Sequence, residues 1–468
     1  MSDPHKNGFE VLSPYDNSFI GSMPISTKAQ AFSALEEAYK KYSERESWLT
    51  PATRISILRK FVEFVKDDLD SLAKQAAREG GKPLKDSIIE VQRGIEGVEV
   101  AIEEIGQLGG TEIPMRLTTA SAQRFAHTFR EPRGVVLAIS AFNHPFNLII
   151  HQVITAIAAG CPVLVKPASA TPLSALSIVG LLAKAGLPDG WCQLLTCKKD
   201  VTEELVGDTR ISFMTFIGSG KVGWYLRSKL APGAACALEH GGAAPVIVDE
   251  TADLSDSIPL LTRGGFYHAG QVCVSVQRLF VHHSILDDFV AEFVKSVSEL
   301  KVGDPLDLST DVGPLISERE VERVDEWVQA AVQAGAQVLC GGQKLSTTMY
   351  APTVLLDPPD DALISTREIF GPVVAVYSYK DLDEAITRAN GPDFFFQASI
   401  FTKNLDTALS ASRRLHGTAV MVNDHSAFRV DWMPFGGHRQ SGLGIGGIGH
   451  SIRDMTLERM VVFRSAAL

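Results

Sequence analysis

After Pro132 the chain takes on a rhythm that few folds can satisfy. Apolar stretches at Val135–Ile139, 162–166, 191–195 and Ile211–Ile217 are each separated by a segment of helical length. Strands alternating with helices argue for a parallel sheet joined by crossover connections, so the expected class is α/β. In such sheets ligands bind beyond the carboxyl ends of the strands, which makes nucleotide binding the first hypothesis.

The turn after the last of these stretches sharpens it. Gly218-Ser219-Gly220-Lys221-Val222-Gly223 follows ISFMTFI and opens KVGWYLRSKLA, a GxGxxG pattern in strand-to-helix context. A helix N-terminus that glycine lets a ligand approach suits a pyrophosphate. Glu239, about 20 residues further on, stands where a ribose-binding acid would in a Rossmann unit. That fingerprint belongs to the first strand and turn of a sheet, however, and this unit comes last. In CALEHGGAAPVIV, Glu239 precedes a glycine pair and an apolar strand. Desolvation there would raise its pKa and make it a usable general base. A surface ion pair explains an acidic residue equally well.

A second alternating region begins near Gly241, with strands expected at 279–281, 373–377 and 418–422 and a helix capped by Ser284, Asp287 completing a capping box. It carries GGFYHAGQVCVSVQR, with Cys273 near its centre at a helix-to-strand junction and no partner at metal-ligand spacing. Cys273 is a candidate nucleophile, although a lone cysteine is more often an inert small hydrophobe. In SAFNHPFNL, Asn143 stands at a strand-to-helix switch, where its amide could serve an oxyanion or simply cap the helix. Lys166 and Ser169 of KPAS end another strand of the first sheet, near where a cofactor ribose would lie, unless Lys166 is only a solvated strand end.

Elsewhere the signals are structural. Thr50 caps and Pro51 opens a helix with Ile55, Leu58, Phe61, Val62, Val65, Leu69 and Leu72 at helical spacing, closed by Gly80 and Gly81. EIPMRLTTASAQRFAHTFREP reads as two strands reaching out of the body, and 455–463 as a terminal strand. At 468 residues, two or three domains are expected. Forty-four basic against 55 acidic residues leave a net charge of -11, which disfavours nucleic acid or an anionic membrane as the main partner. Six scattered cysteines without a CxxC pair point to a reducing compartment and to no metal site. With no secretory pattern and no apolar run of about 18 residues, the expected location is cytoplasmic.

The ordered set FNHP, KPAS, FIGSGKVG, LEHGG, GQVC, EIFGPVV and PFGGHRQSG resembles the aldehyde dehydrogenase superfamily, from about residue 10 to the end. The resemblance implies a Rossmann-like cofactor domain (1–110 and 131–240), an α/β catalytic domain (241–452) and small β oligomerisation segments (111–130 and 453–468). It implies oxidation of an aldehyde to its acid with NADP or NAD, in a homodimer or dimer of dimers. Cys273 would be the nucleophile, Glu239 the general base, and Asn143 with the Cys273 N–H the oxyanion donors. Lys166 and Ser169 would face the adenosine ribose, Ser219 the pyrophosphate, Glu368 the nicotinamide ribose and Phe370 its ring, with Ser140, Phe142, Gly218 and Gly241 also against the cofactor. Phe435 would lie by the substrate tunnel.

Such chemistry needs this set, because an aldehyde has no leaving group but hydride. A thiolate adds first, fixed donors hold the oxyanion, and a base then directs water onto the thioester. Two departures from the family pattern stand out. His240 follows the base where an aliphatic residue is common, and Gly446 replaces part of an Arg-Glu pair.

A CoA-acylating relative, a thiol hydrolase and a non-catalytic homologue remain as rivals, the first disfavoured by Glu239. Ser169, where NAD-preferring relatives often hold Glu, favours acceptance of NADP. For the substrate, His151, Arg263 and Arg429 are candidate polar wall residues suggesting a small hydroxylated or anionic aldehyde. Pairing of Arg429 with Asp431 and exposure of Arg263 would be the plainer outcome. GQVCVSVQR and FRVDWMPFGG also resemble the branch acting on lactaldehyde, glycolaldehyde and phosphonoacetaldehyde.

Overall fold

The computed structural model describes residues 8–468. The four strand-forming stretches after Pro132 lie in one sheet, in the order Gly442–Leu443, Ala235–Glu239, Ile211–Ile217, Val135–Ile139, Val163–Lys166, Cys192–Leu194. All pairs are parallel except the edge strand Gly442–Leu443, which runs antiparallel and sets Gly442 opposite Glu239. Val135–Ile139 is buried along its whole length, as a central strand between two helical layers must be. The chain moves from it to Val163–Lys166 on one side, while Ile211–Ile217 lies on the other. The strand order therefore reverses here, and a crevice opens between the loops that follow Val135–Ile139 and Ile211–Ile217.

Helices Pro51–Asp67, Leu69–Gly80 and Leu84–Ile105 cover one face of the sheet, while Lys28–Ser43, Lys199–Val206 and Gly220–Lys229 cover the other. The helix expected from Thr50 to Gly80 is in fact two. Thr50 accepts the Thr53 N–H as a cap should, and Gly81 ends the second helix at φ 73°. Asp68 breaks the run between them at ψ 18°, in keeping with the preference of Asp for caps and turns over helix interiors.

The second sheet has the order Gln337–Cys340, Thr353–Leu356, Val373–Tyr379, Val276–His282, Ala244–Val248, Gln397–Phe401, Ala419–Val422, parallel except at Gln337–Cys340. The capping box expected at Ser284 does not form. The His282 side chain accepts the Ser284 N–H instead, a short turn His283–Ile285 intervenes, and Leu286–Ser298 begins without a side-chain cap. A third sheet joins Thr456–Arg464 to Arg124–Pro132 along their whole lengths, with Glu112–Ile113 beyond. Phe125, Met460, Val462 and Phe463 lie exposed on it.

Between the second sheet and this arm the chain crosses back. Gly442–Leu443 joins the first sheet, and Ile448 and Ile452 of helix Ile448–Asp454 enter its core.

Candidate active site

Cys273 sits where helix Leu254–Phe266 gives way to strand Val276–His282. The connection is strained: His268, Ala269 and Gly270 are all left-handed, at φ 49°, 54° and 68°. Two non-glycine residues in that region cost energy that surrounding contacts must offset. Gln271 supplies several of them. Its Nε2 donates to the carbonyls of His268 and Pro314, and its Oε1 accepts the Ile316 N–H at 3.0 Å. The Gln271 carbonyl in turn accepts one hydrogen of the Asn143 amide at 2.9 Å. The amide is thus oriented, with its second hydrogen available to the cavity it shares with Cys273.

That cavity has a volume of 940 Å³ and is also lined by Glu239, Phe435 and Arg429. Burial pushes the Cys273 thiol up to about 12, the Glu368 carboxylate adding to the shift and Arg429 opposing it. The resting sulfur is therefore protonated and needs a base. Burial also raises Glu239 above the usual carboxylate range, again against Arg429. A Cβ at Gly446 would overlap Glu239 Oε1, so this carboxylate owes its position to a residue with no side chain. His240 does not bring solvent to Glu239. It is 2% exposed and edge-on to Trp224 and Phe216, with Nδ1 3.0 Å from the Gln440 carbonyl, and burial lowers its pKa.

Toward the crevice the same cavity is lined by Ser140, Phe142, Gly218, Ser219, Gly241, Glu368 and Phe370. Phe142 and Phe370 meet edge to face at 5.8 Å. Ser140 Oγ and Glu368 Oε1 are buried without a hydrogen-bond partner, and burial lifts Glu368 to about 8, with Arg323 opposing. Gly241 leaves no room for a Cβ beside that carboxylate. Helix Gly220–Lys229 begins here without a side-chain cap, so its first N–H groups are free for an anion. Orphaned polar atoms, two aromatic rings and an open helix end fit a nicotinamide dinucleotide. Lys166 and the exposed Ser169 lie outside the cavity, though Ala168 between them lines it.

On the substrate side the expectations divide. Arg429 lines the cavity, 12% exposed, its guanidinium 3.5 Å from the centre of the Phe435 ring. Arg263 does not reach it. It is half-exposed, pairs with Asp86 at 3.1 Å and stacks behind Tyr267. Nor is His151 a wall residue. Asn143 lies in a loop before the helical segment that starts at Asn147, so the two share no helix face. His151 stands behind Arg429, with Nε2 2.7 Å from Asp431 Oδ1 and Nδ1 3.4 Å from Arg429 Nη2.

The sequence reading missed Arg93, His144 and Tyr267, all in the cavity wall. Arg93 grips Asp431 through two hydrogen bonds of 3.0 and 2.9 Å, and Tyr267 Oη lies 3.3 Å from His144 Nε2. The missing signal was a polar stripe at helical spacing, Asp86, Glu90 and Arg93, on the inner face of helix Leu84–Ile105. Asp86 holds Arg263, Glu90 holds the buried Lys82 at 2.5 Å and the N–H groups of Phe146 and Asn147, and Arg93 holds Asp431.

Comparison with known proteins gives this arrangement its context. The family model described as aldehyde dehydrogenase family matches residues 1–461. The chain is 37% identical over 454 residues to a 3-sulfolactaldehyde dehydrogenase of Priestia aryabhattai, covering 97% of this chain and 94% of that one. Its structure is similar to that of aldehyde dehydrogenase 21 from Physcomitrella patens in complex with the reaction product succinate, with a TM-score of 0.95, 35% identity and coverage of 99% and 96%. It is also similar to a glyceraldehyde-3-phosphate dehydrogenase from Methanocaldococcus jannaschii complexed with NADP, with a TM-score of 0.92, 34% identity and coverage of 97% and 99%.

Proposed function

The chain belongs to the aldehyde dehydrogenase family, and from that premise we propose that it oxidises a small polar or anionic aldehyde to its carboxylic acid, using NADP+ or NAD+. The single observation that carries this reading is the cavity in which Cys273, Glu239 and Asn143 meet a largely buried guanidinium, that of Arg429. A cation taken out of water is costly unless a counter-charge arrives, so Arg429 favours a substrate that brings one. The named relatives agree in kind: a sulfonated aldehyde, a succinate product and a phosphorylated aldehyde.

In this reading Glu239 takes the thiol proton as Cys273 adds to the carbonyl, forming the C–S bond of a thiohemiacetal. The Asn143 amide and the Cys273 N–H hold the oxyanion. Ser140, Phe142, Gly218, Ser219, Gly241, Glu368 and Phe370 would hold the dinucleotide, with Lys166 and Ser169 toward the adenosine ribose, and when bound it would supply the hydride-accepting chemistry. Glu239, having returned its proton to solvent, then draws a proton from water as the water attacks the thioester, and the Cys273 thiolate leaves. Phe435 keeps this wall apolar while positioning Arg429 by a cation–π contact.

The neutral Ser169 makes NADP+ acceptable. The scattered free cysteines support work in the cytoplasm. The exposed apolar residues of the arm sheet support a homodimer or dimer of dimers. Incubating the protein with an aldehyde panel and each nicotinamide, and following reduced-cofactor absorbance, tests the reading. Turnover of polar and anionic aldehydes is expected. Efficiency rising steadily with aliphatic chain length would refute the polar-substrate assignment.

A further inference from the structure

Two guanidiniums flank the buried carboxylate of Asp431, and only one of them is bound to it. Arg93 holds it in a fork, Nε donating to Oδ2 at 3.0 Å and Nη2 to Oδ1 at 2.9 Å. Asn147 Nδ2 donates to Oδ1 at 3.2 Å, and His151 Nε2 lies 2.7 Å from the same oxygen. A carboxylate offers about four acceptor sites, so these partners fill it. Arg429 is turned away. It comes no nearer than 3.9 Å, and its buried Nε has no hydrogen-bond partner. Among the described residues no other carboxylate, Glu239 included, lies within 4.0 Å of this guanidinium.

The tautomer of His151 follows from its two neighbours. A carboxylate in an arginine fork only accepts, and arginine, charged at every ordinary pH, only donates. His151 stands between one of each, so Nε2 carries the proton toward Asp431 and Nδ1 accepts from Arg429 Nη2 at 3.4 Å. The ring is presented by a π-helical turn, Ile150–Ile154, in which the Thr155 hydroxyl donates to the His151 carbonyl at 2.5 Å. Turns of this kind are rare and occur frequently at functional sites.

Resting on the aldehyde-oxidising reading above, we propose that His151 is a positioning residue for substrate choice: it occupies the acceptor site on Asp431 that Arg429 would otherwise take, and so keeps that guanidinium free for an acid group on the aldehyde. Without the imidazole, Arg429 Nε closes the 3.9 Å gap and pairs with Asp431. The cavity wall then keeps its cation but loses the unsatisfied donors that an anionic substrate would meet.

Succinic semialdehyde and 4-methylpentanal share one skeleton, a carboxylate in the first standing where the second has an isopropyl group. The ratio of their kcat/KM values therefore reads the acid-group contact. Within any one variant Glu239 and Cys273 ionise identically for both substrates, so their titration divides out. His151→Leu should lower the ratio by about 10- to 100-fold, the worth of a hydrogen bond to a charged group, chiefly by raising KM for succinic semialdehyde. His151→Gln, whose amide can both donate to Asp431 and accept from Arg429, should keep the ratio within about threefold of the parent. In Arg429→Gln the ratio is already low, and adding His151→Leu should lower it no further, because both changes remove one contact. If His151→Leu does not fold, His151→Asn, with an amide too short to reach Asp431, takes its place. An unchanged ratio in that variant, a Gln variant as impaired as Leu, or a further fall in the double variant overturns the positioning role alone. A parent enzyme that oxidises no aldehyde, or shows no preference for succinic semialdehyde, overturns it together with the reading of Arg429 as the substrate's counter-charge.

Discussion

Replacing Gly446 with alanine tests whether the absence of a side chain is what sets the base. Gly446 and Phe435 exchange both backbone hydrogen bonds across a bridge, which fixes where a new methyl would project. That methyl would overlap Glu239 Oε1 and come within 2.7 Å of the Phe435 carbonyl. The carboxylate is the softer of the two neighbours and would yield, retreating by about 1 Å, a misplacement that costs on the order of 100-fold in a positioned catalytic step. The loss should fall more heavily on thioester hydrolysis than on hydride transfer, because water must be deprotonated as it attacks, whereas the thiol can also lose its proton to solvent before addition and the oxyanion donors lie on other segments. In stopped-flow, Gly446→Ala should show a burst of reduced nicotinamide, slower than the parent's but of full amplitude, followed by steady-state turnover about 100-fold slower. Intact-mass spectra should show an acyl adduct on Cys273, as they should for Glu239→Gln. Steady-state turnover within about threefold of the parent, or loss of the burst in a variant that still binds cofactor, would refute the reasoning.

Cys273→Ala should abolish aldehyde oxidation and retain dinucleotide binding by fluorescence titration; measurable turnover would remove the thiohemiacetal from the scheme. Because burial raises Glu239, the base form exists only above that raised pKa. Steady-state turnover should therefore fall on acidification with a midpoint above the ordinary carboxylate range, and Glu239→Gln should lack this limb. Ser169→Glu should depress kcat/KM with NADP+ by about tenfold more than with NAD+, through repulsion of the 2′-phosphate; equal losses count against its place by the ribose. Light scattering at micromolar concentration should return at least a dimer, and a monomer would leave the exposed Phe463 and Met460 unexplained.

The sheet was legible in the sequence because its strands announce themselves locally, as apolar runs bounded by glycine and proline. Glu239 and Gly218 were readable as candidates for a related reason: each stands at the carboxyl end of such a run, where a parallel sheet presents its ligand face, while Cys273 was singled out in the turn that leads into the next strand. Arg93 was not legible, because its partner Asp431 is distant in sequence and each residue alone looks like a solvated charge. His151 was misjudged through helical spacing applied to a loop, and Arg263 because proximity to Cys273 in sequence says nothing about which side of Tyr267 a guanidinium takes. The break at Asp68 escaped notice because apolar residues continue at helical spacing on both sides of it.

The antiparallel edge strand Gly442–Leu443 has a consequence for how the chain is made. It lays Gly442 beside Glu239, a pairing between segments far apart in the order of synthesis. Arg429, Asp431, Phe435 and Gly446 likewise come late in the chain. While the chain is still emerging from the ribosome, the dinucleotide sheet can assemble from local βαβ units. The base and the anion-facing wall must wait for the slowest, least local contacts in the molecule. A nascent chain released before Gly442 would therefore carry Cys273 without the neighbours that aim Glu239 at it, so competence for the reaction arrives near the end of folding.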